Sequence, residues 1–157
     1  MSLPEPVGYP DDGLIRDVLQ RVRTIAVVGA SPNPARPSHG VLRFLLAAGY
    51  NAIPVNPGHD GHHIAGQLVY ARLADIPEPI DMVDVFRQPA ALPALVDEVL
   101  ALSPRPHVLW TQLGVINPAA TDRAAAAGMT VVIDRCPAIE YPRLIRRVPR
   151  PAEDWLA

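Results

Sequence analysis

The sequence predicts a three-layer α/β domain, a five-stranded parallel sheet with helices on both faces. Two observations carry this. Five short apolar runs rich in Val, Ile or Leu lie at residues 24–28, 51–55, 80–86, 107–111 and 130–134, the composition of strands buried on both faces of a parallel sheet. Segments with helically spaced apolar residues separate most of them. Such alternation implies βαβ units with right-handed crossovers.

Taken in chain order, residues 1–10 are Pro-rich and irregular. Asp11 or Asp12 can cap a helix that places Leu14, Ile15, Val18, Leu19 and Val22 on one face. After the first strand, Ser38 can cap a second helix carrying Val41, Leu42, Leu45, Leu46 and Ala48, with Gly49 at its end. The linker over 59–79 is long, follows Gly58, contains Gly61 and Gly66, and has room for one short helix around 71–75. Pro93 opens a helix with the face Leu92, Leu95, Val96, Val99 and Leu100. Asn117-Pro118 begins the next, which has an Ala-rich body and stops at Gly128. A last helix over 139–147 leaves a polar tail. The expected strand order is 3-2-1-4-5, which puts a ligand crevice at the C-terminal ends of the strands flanking strand 1.

The 157 residues suit one domain, spanning 1–157 with its core at about 15–147. A chain of this size buries on the order of 70% of its unfolded surface. It is 49% hydrophobic and 19% charged, an ordinary globular balance. No apolar run approaches the roughly 20 residues of a membrane span, and the start has no secretory pattern, so the cytoplasm is the expected compartment. The net charge of −2 gives no general attraction to nucleic acid. Every basic residue is Arg, which excludes the lysine of a Walker phosphate loop and any lysine Schiff base. Cys136 is the single cysteine, so an internal disulfide and a cysteine zinc site are also excluded.

The turn Gly29-Ala30-Ser31 after the first strand is the strongest candidate site. A glycine there bends the backbone and admits a pyrophosphate, and the next helix begins near Ser38 with free N–H groups for an anion. Arg36 and Ser38 add a cation and a hydroxyl. A plain strand-to-helix turn is the competing reading, since the full G-x-G-x-x-G pattern is missing. At the end of the second strand stands Val55-Asn56-Pro57, where a nicotinamide dinucleotide site carries an acid for the ribose hydroxyls. That weakens a NAD reading. Phe86-Arg87 supplies a ring and a cation on the neighbouring rim, although a structural salt bridge is open to Arg87. Trp110-Thr111-Gln112-Leu113-Gly114 ends strand 4 with groups able to line a narrow channel, while Trp110 itself reads as core.

These segments, with Pro32-Asn33, Arg36-Pro37-Ser38, Pro54-Val55-Asn56-Pro57 and Asp134-Arg135-Cys136, resemble the small stand-alone CoA-binding proteins. Those are similar to the N-terminal CoA-binding domain of the succinyl-CoA synthetase α subunit. The resemblance covers residues 15 to 147 and implies a Rossmann-like fold that holds the ADP part of coenzyme A, or of an acyl-CoA, at the strand C-termini. It implies that Gly29, Ala30 and Ser31 lie under the phosphates, supported by Arg36 and Ser38. Val55 and Asn56 would border the nucleotide, Phe86 and Arg87 would lie against it, and Gln112 and Gly114 would line the pantetheine path. Acyl transfer is not expected, because the 157 residues leave no room for the further domain that supplies a phosphorylated histidine.

Other chemistry is sparse. Cys136 follows strand 5 on the same rim, and is either a redox site able to meet the CoA thiol or a small buried hydrophobe. His59, His62 and His63 sit in a polar loop without paired acids, so no metal is expected. Asp81 and Asp84 have odd spacing in a strand and face opposite sides, which rules out a catalytic pair. Asp134 is expected to pair with Arg135 or Arg143. No Ser-His-Asp order appears. The sequence therefore reads as a module that binds CoA, alone or beside an unidentified protein partner. The alternative is a NAD(P)-linked oxidoreductase or redox sensor on the same fold.

Overall fold

The computed structural model describes residues 11–145; the Pro-rich start and the polar tail lie outside them. Helix α1 (Asp12–Arg21) opens at Asp11, whose carboxylate accepts the Leu14 N–H at 2.9 Å. Strand β1 (Thr24–Val28) leads into α2 (Pro37–Ala47) and β2 (Asn51–Val55). The long linker forms a minimal hairpin, β3 (His63–Ile64) and β4 (Gln67–Leu68), then a single 3₁₀ turn at Leu73–Asp75. Ala65 and Gly66, with φ of 51° and 80°, make the hairpin turn. The chain continues through β5 (Met82–Val85), α3 (Leu92–Leu100), β6 (Val108–Thr111), α4 (Pro118–Ala126), β7 (Thr130–Val132) and α5 (Pro137–Leu144).

The five long strands form one parallel sheet in the order β2-β1-β5-β6-β7. The parallel sheet and its helices are those the apolar runs predict. Run 80–86 was expected outside β2, in the third place of a 3-2-1-4-5 order. It lies instead against β1, with Ile25 opposite Met82 and Val28 opposite Val85. The place outside β2 goes to the linker, through a parallel bridge between Val55 and Tyr70. Counted with that segment as the third strand, the order does read 3-2-1-4-5 with one more strand beyond. The linker segment pairs with β2 through a single bridge, too short to announce itself as a strand.

Side chains alternate across the sheet as the strand period requires. Ile25 and Val27 face α1, α2 and α5, whereas Ala26 and Val28 face α3 and α4. Ile15 and Leu19 of α1 and Leu42 and Leu45 of α2 are almost fully enclosed, each worth roughly 1.5–3 kcal/mol in buried apolar surface. The Tyr50 hydroxyl donates to the Leu19 carbonyl, and burial pushes that phenol up to about 12. Arg143 joins α5 to α1 through Asp12, at 2.7 Å, and also binds Glu140, not Asp134 as expected. Trp110 is core, as read from the sequence, and its indole N–H donates to the Arg135 carbonyl at 2.8 Å.

One core residue breaks the apolar pattern. Asp84 stands in register between Val27 and Trp110, on the same side as Met82, with no solvent exposure. Neither carboxyl oxygen has a hydrogen-bond partner. Asp81, three residues earlier, instead accepts the Arg23 and Thr24 N–H groups at 2.9 Å each. Burial holds the Asp84 carboxyl well above the usual carboxylate range, because a lone charge in the core is costly. The neutral acid is thus the form the fold favours. Its contribution to stability is intact below the unfolded value of 3.8 and is lost as pH rises through the folded one. Asp84→Asn, which cannot ionise, should gain on the parent by at least about 1 kcal/mol between about pH 4 and about pH 7. Urea unfolding at both pH values checks this, and a constant difference would mean that Asp84 ionises freely.

Candidate functional site

A cavity of about 540 Å³ opens at the C-terminal ends of β1 and β5, within the roughly 300–1,000 Å³ usual for small-molecule sites. The chain diverges here. From β1 it passes through α2 on one face toward β2, and from β5 through α3 on the other face toward β6. Such a topological switch point leaves a crevice above the sheet. Its walls come from Gly29, Ser31 and the start of α2, from Phe86, Arg87 and Gln88, and from Gln112, Leu113, Val115 and Cys136.

Gly29 is a glycine for a reason the sequence does not disclose. Its φ is 89°, and a Cβ there would lie 2.1 Å from the Phe86 carbonyl oxygen. The close approach that excludes a side chain is therefore made by the neighbouring strand. Beyond it, side chains tie the loop to itself. The Ser31 hydroxyl accepts the Asn33 N–H at 3.1 Å and the Asn33 carboxamide accepts the Ala35 N–H at 3.0 Å. Ser38, expected as the helix cap, lies inside α2, which Arg36 precedes as cap residue without a side-chain cap bond. Its oxygen accepts the Ser31 N–H at 3.0 Å, so it fastens the turn to the helix. His39, buried beside it, brings Nδ1 to 3.1 Å from the Ser31 carbonyl.

Two arginines line the cavity, Arg36 exposed at the start of α2 and Arg87 half-buried after β5. Among the described residues neither has an acidic partner, so the salt bridge open to Arg87 is not formed. Elsewhere Arg21, Arg123 and Arg143 are ion-paired, and Arg16, Arg105 and Arg135 donate to backbone carbonyls. The two cations give the cavity a positive rim; at the start of α2 Pro37 has no N–H, and those of Arg36 and His39 are already bonded to the Asn33 and Arg36 carbonyls at 3.0 and 3.1 Å.

Gly29, Ser31, Arg36, Ser38, Phe86, Arg87, Gln112 and Cys136 are thus brought to one cavity. Ala30, Val55, Asn56 and Gly114 are not among its walls. Ala30 and Val55 are buried in the core. Asn56 spends both ends of its side chain on backbone: Nδ2 donates to the Ala30 carbonyl at 2.8 Å and Oδ1 accepts the Gly58 N–H at 2.9 Å. Gly114 donates its N–H to Asp134 at 2.8 Å, closing the loop after β6. The Asp134 carboxylate is accordingly a loop tie and not an ion-pair partner, while its backbone carbonyl accepts from the Arg135 guanidinium at 2.8 Å. The histidine loop lies away from the cavity, and no His, Cys, Asp or Glu cluster among the described residues suits a metal.

Some wall residues escaped the sequence reading. Val41 lies three residues after Ser38, on the same side of α2, and helical spacing could have found it. Leu113 and Val115 flank Gly114, and which of the three faces the cavity depends on the loop conformation. Gln112 was expected, but its state was not: it is 6% exposed and its Oε1 has no partner.

A family model described as "CoA binding domain" matches residues 23–142. The Bacillus subtilis protein YneT, described as uncharacterized, is 39% identical over 127 residues, covering 81% of this chain and 91% of its own. A hypothetical protein from Pyrococcus horikoshii has the same fold, with a TM-score of 0.83 at 34% identity over 92% of this chain and 99% of that one. A Thermus thermophilus structure gives 0.81 at 41% identity, covering 87% of this chain and all of its own. Among the described residues, no helix is long and apolar enough to cross a membrane.

The geometry at Gly29 separates two costs of adding a methyl group. Gly29→Ala meets both a left-handed φ and the Phe86 carbonyl, whereas Gly114→Ala meets only a φ of 79° with open space around the new Cβ. The first should destabilise by at least about 2 kcal/mol and the second by about 1 kcal/mol. Urea unfolding of the two variants measures this. Equal losses would remove the Phe86 contact as the cause.

Proposed function

From its membership of the CoA binding domain family, to which this chain belongs, we propose that the cavity between β1 and β5 takes coenzyme A or an acyl-CoA by its ADP part. The carrying observation is that two arginines without acidic partners, Arg36 and Arg87, line one cavity beside the Ser31–Ser38 tie. Phosphates lie between them, over the start of α2. Phe86 offers its ring to the nucleotide. The pantetheine arm runs toward Gln112, Leu113 and Cys136, where the walls turn apolar.

The site carries no acid at the end of β2 for ribose hydroxyls, and Asn56 cannot substitute, being committed to Ala30 and Gly58. This favours a CoA ligand over the nicotinamide cofactors. The protein acts in this reading as a binding module, without acyl-transfer chemistry of its own.

Calorimetry with CoA, acetyl-CoA, NAD and NADP tests the proposal directly. CoA should bind more tightly than either nicotinamide cofactor, and a preference for NAD or NADP would overturn it. A charge-assisted bond to phosphate is worth about 1.5–3 kcal/mol, so Arg36→Ala and Arg87→Ala should each weaken CoA binding roughly 10- to 100-fold. Unchanged affinity in both variants would remove the arginines from the site.

A further inference from the structure

We propose that Cys136 is a thiol-exchange site, which captures the disulfide form of a CoA-class ligand seated in this cavity. The inference rests on the reading that the cavity takes CoA. Cys136 is only 8% exposed, yet it forms part of the cavity wall, so a reagent reaches it through the cavity. It stands at the N-cap of α5, but its side chain makes no capping bond. Its backbone carbonyl takes the cap role, accepting the Ile139 and Glu140 N–H groups at 3.0 and 2.9 Å. The sulfur therefore has no part in the cap, in a residue that belongs both to the core cluster and to the cavity wall.

Gln112 points independently to a ligand at this end. Its carboxamide oxygen is buried in the same wall with no donor. A buried acceptor left unsatisfied is unfavourable, so a ligand donor that reached it would be favoured at this wall. Phe86, Val41 and Val115 give the rest of that region an apolar lining. A flexible chain bearing amide N–H groups and ending in sulfur fits these surfaces, which is the chemistry of a pantetheine arm.

The exchange needs no oxidant besides the disulfide itself. The Cys136 thiolate attacks one sulfur of CoA disulfide, the S–S bond breaks, and a bond forms between Sγ and that sulfur. The other CoA leaves as a thiolate and takes up the proton that the cysteine gave away. One disulfide is lost and one is made. Because the chain has a single cysteine, no second thiol within it can resolve the adduct, which persists until an external thiol reduces it. The protein would then register the ratio of CoA disulfide to CoA as a covalent mark inside its own binding site.

The test uses the full-length protein, reduced, freed of reductant and mixed with CoA disulfide. Intact-mass spectrometry should show a gain of one CoA less two hydrogen atoms. Peptide mapping should put it on Cys136, and dithiothreitol should remove it. The rate should saturate with CoA disulfide and fall with excess adenosine 3′,5′-bisphosphate. Glutathione disulfide, lacking the nucleotide, should react at least about 10-fold more slowly. Calorimetry with reduced CoA runs in parallel. If reduced CoA binds but no adduct forms, or glutathione disulfide reacts as fast, the exchange site is overturned and the CoA-binding reading stands. If neither CoA nor its disulfide binds, that reading itself fails.

Discussion

At the C-terminal edge of the sheet β1 and β5 draw together until there is no room for a methyl group between Gly29 and the Phe86 carbonyl. The contact continues a ladder in which Phe86 donates its N–H to Val28 at 2.8 Å, while Gly29 donates to Val55 on the other side at 2.9 Å. The last residues of three strands are thus fixed to one another before the chain turns. Because β1 then departs on one face and β5 on the other, the pinned point becomes the base of a crevice. The cavity, its two arginines and the start of α2 all take their positions from it. A larger residue at position 29 would act on the fold first and on the ligand second.

The polar groups around this point fall into two kinds. Ser31, Asn33, Ser38 and Asn56 are spent on backbone partners and hold the loops in place. Arg36, Arg87 and the Gln112 oxygen have no such partner among the described residues. The division matters for function, because a shell of satisfied groups keeps an unsatisfied set in position. Asp84 adds a third kind. It is a core acid that the fold favours as the neutral form, on the same face of β5 as Phe86 and two residues before it.

Much of this architecture was legible in the sequence because it depends on local rules. The apolar runs marked the strands, and Asn117-Pro118 with Gly128 bounded α4, where the Asn117 side chain accepts the Ala120 N–H at 3.3 Å. Lateral order was not legible in the same way. Periodicity says that 82–85 is a buried strand but carries no information on its neighbour. Residue type was an equally incomplete guide to role. Ser38 looked like a cap and is a strut, and Asn56, expected to border the nucleotide, brackets two loops. In each case a short polar side chain had several partners within reach, and only the three-dimensional path of the backbone selected one.

That bracket also bears on how this lineage could change its ligand. A drift toward dinucleotide chemistry would ordinarily begin with an acid at position 56. Here the exchange of one carboxamide for a carboxylate would remove the donor to the Ala30 carbonyl and set oxygen against oxygen, over a separation of 2.8 Å in the present pair. An acid at position 56 therefore costs this bracket its tie to the loop after β1 and leaves only the one to Gly58.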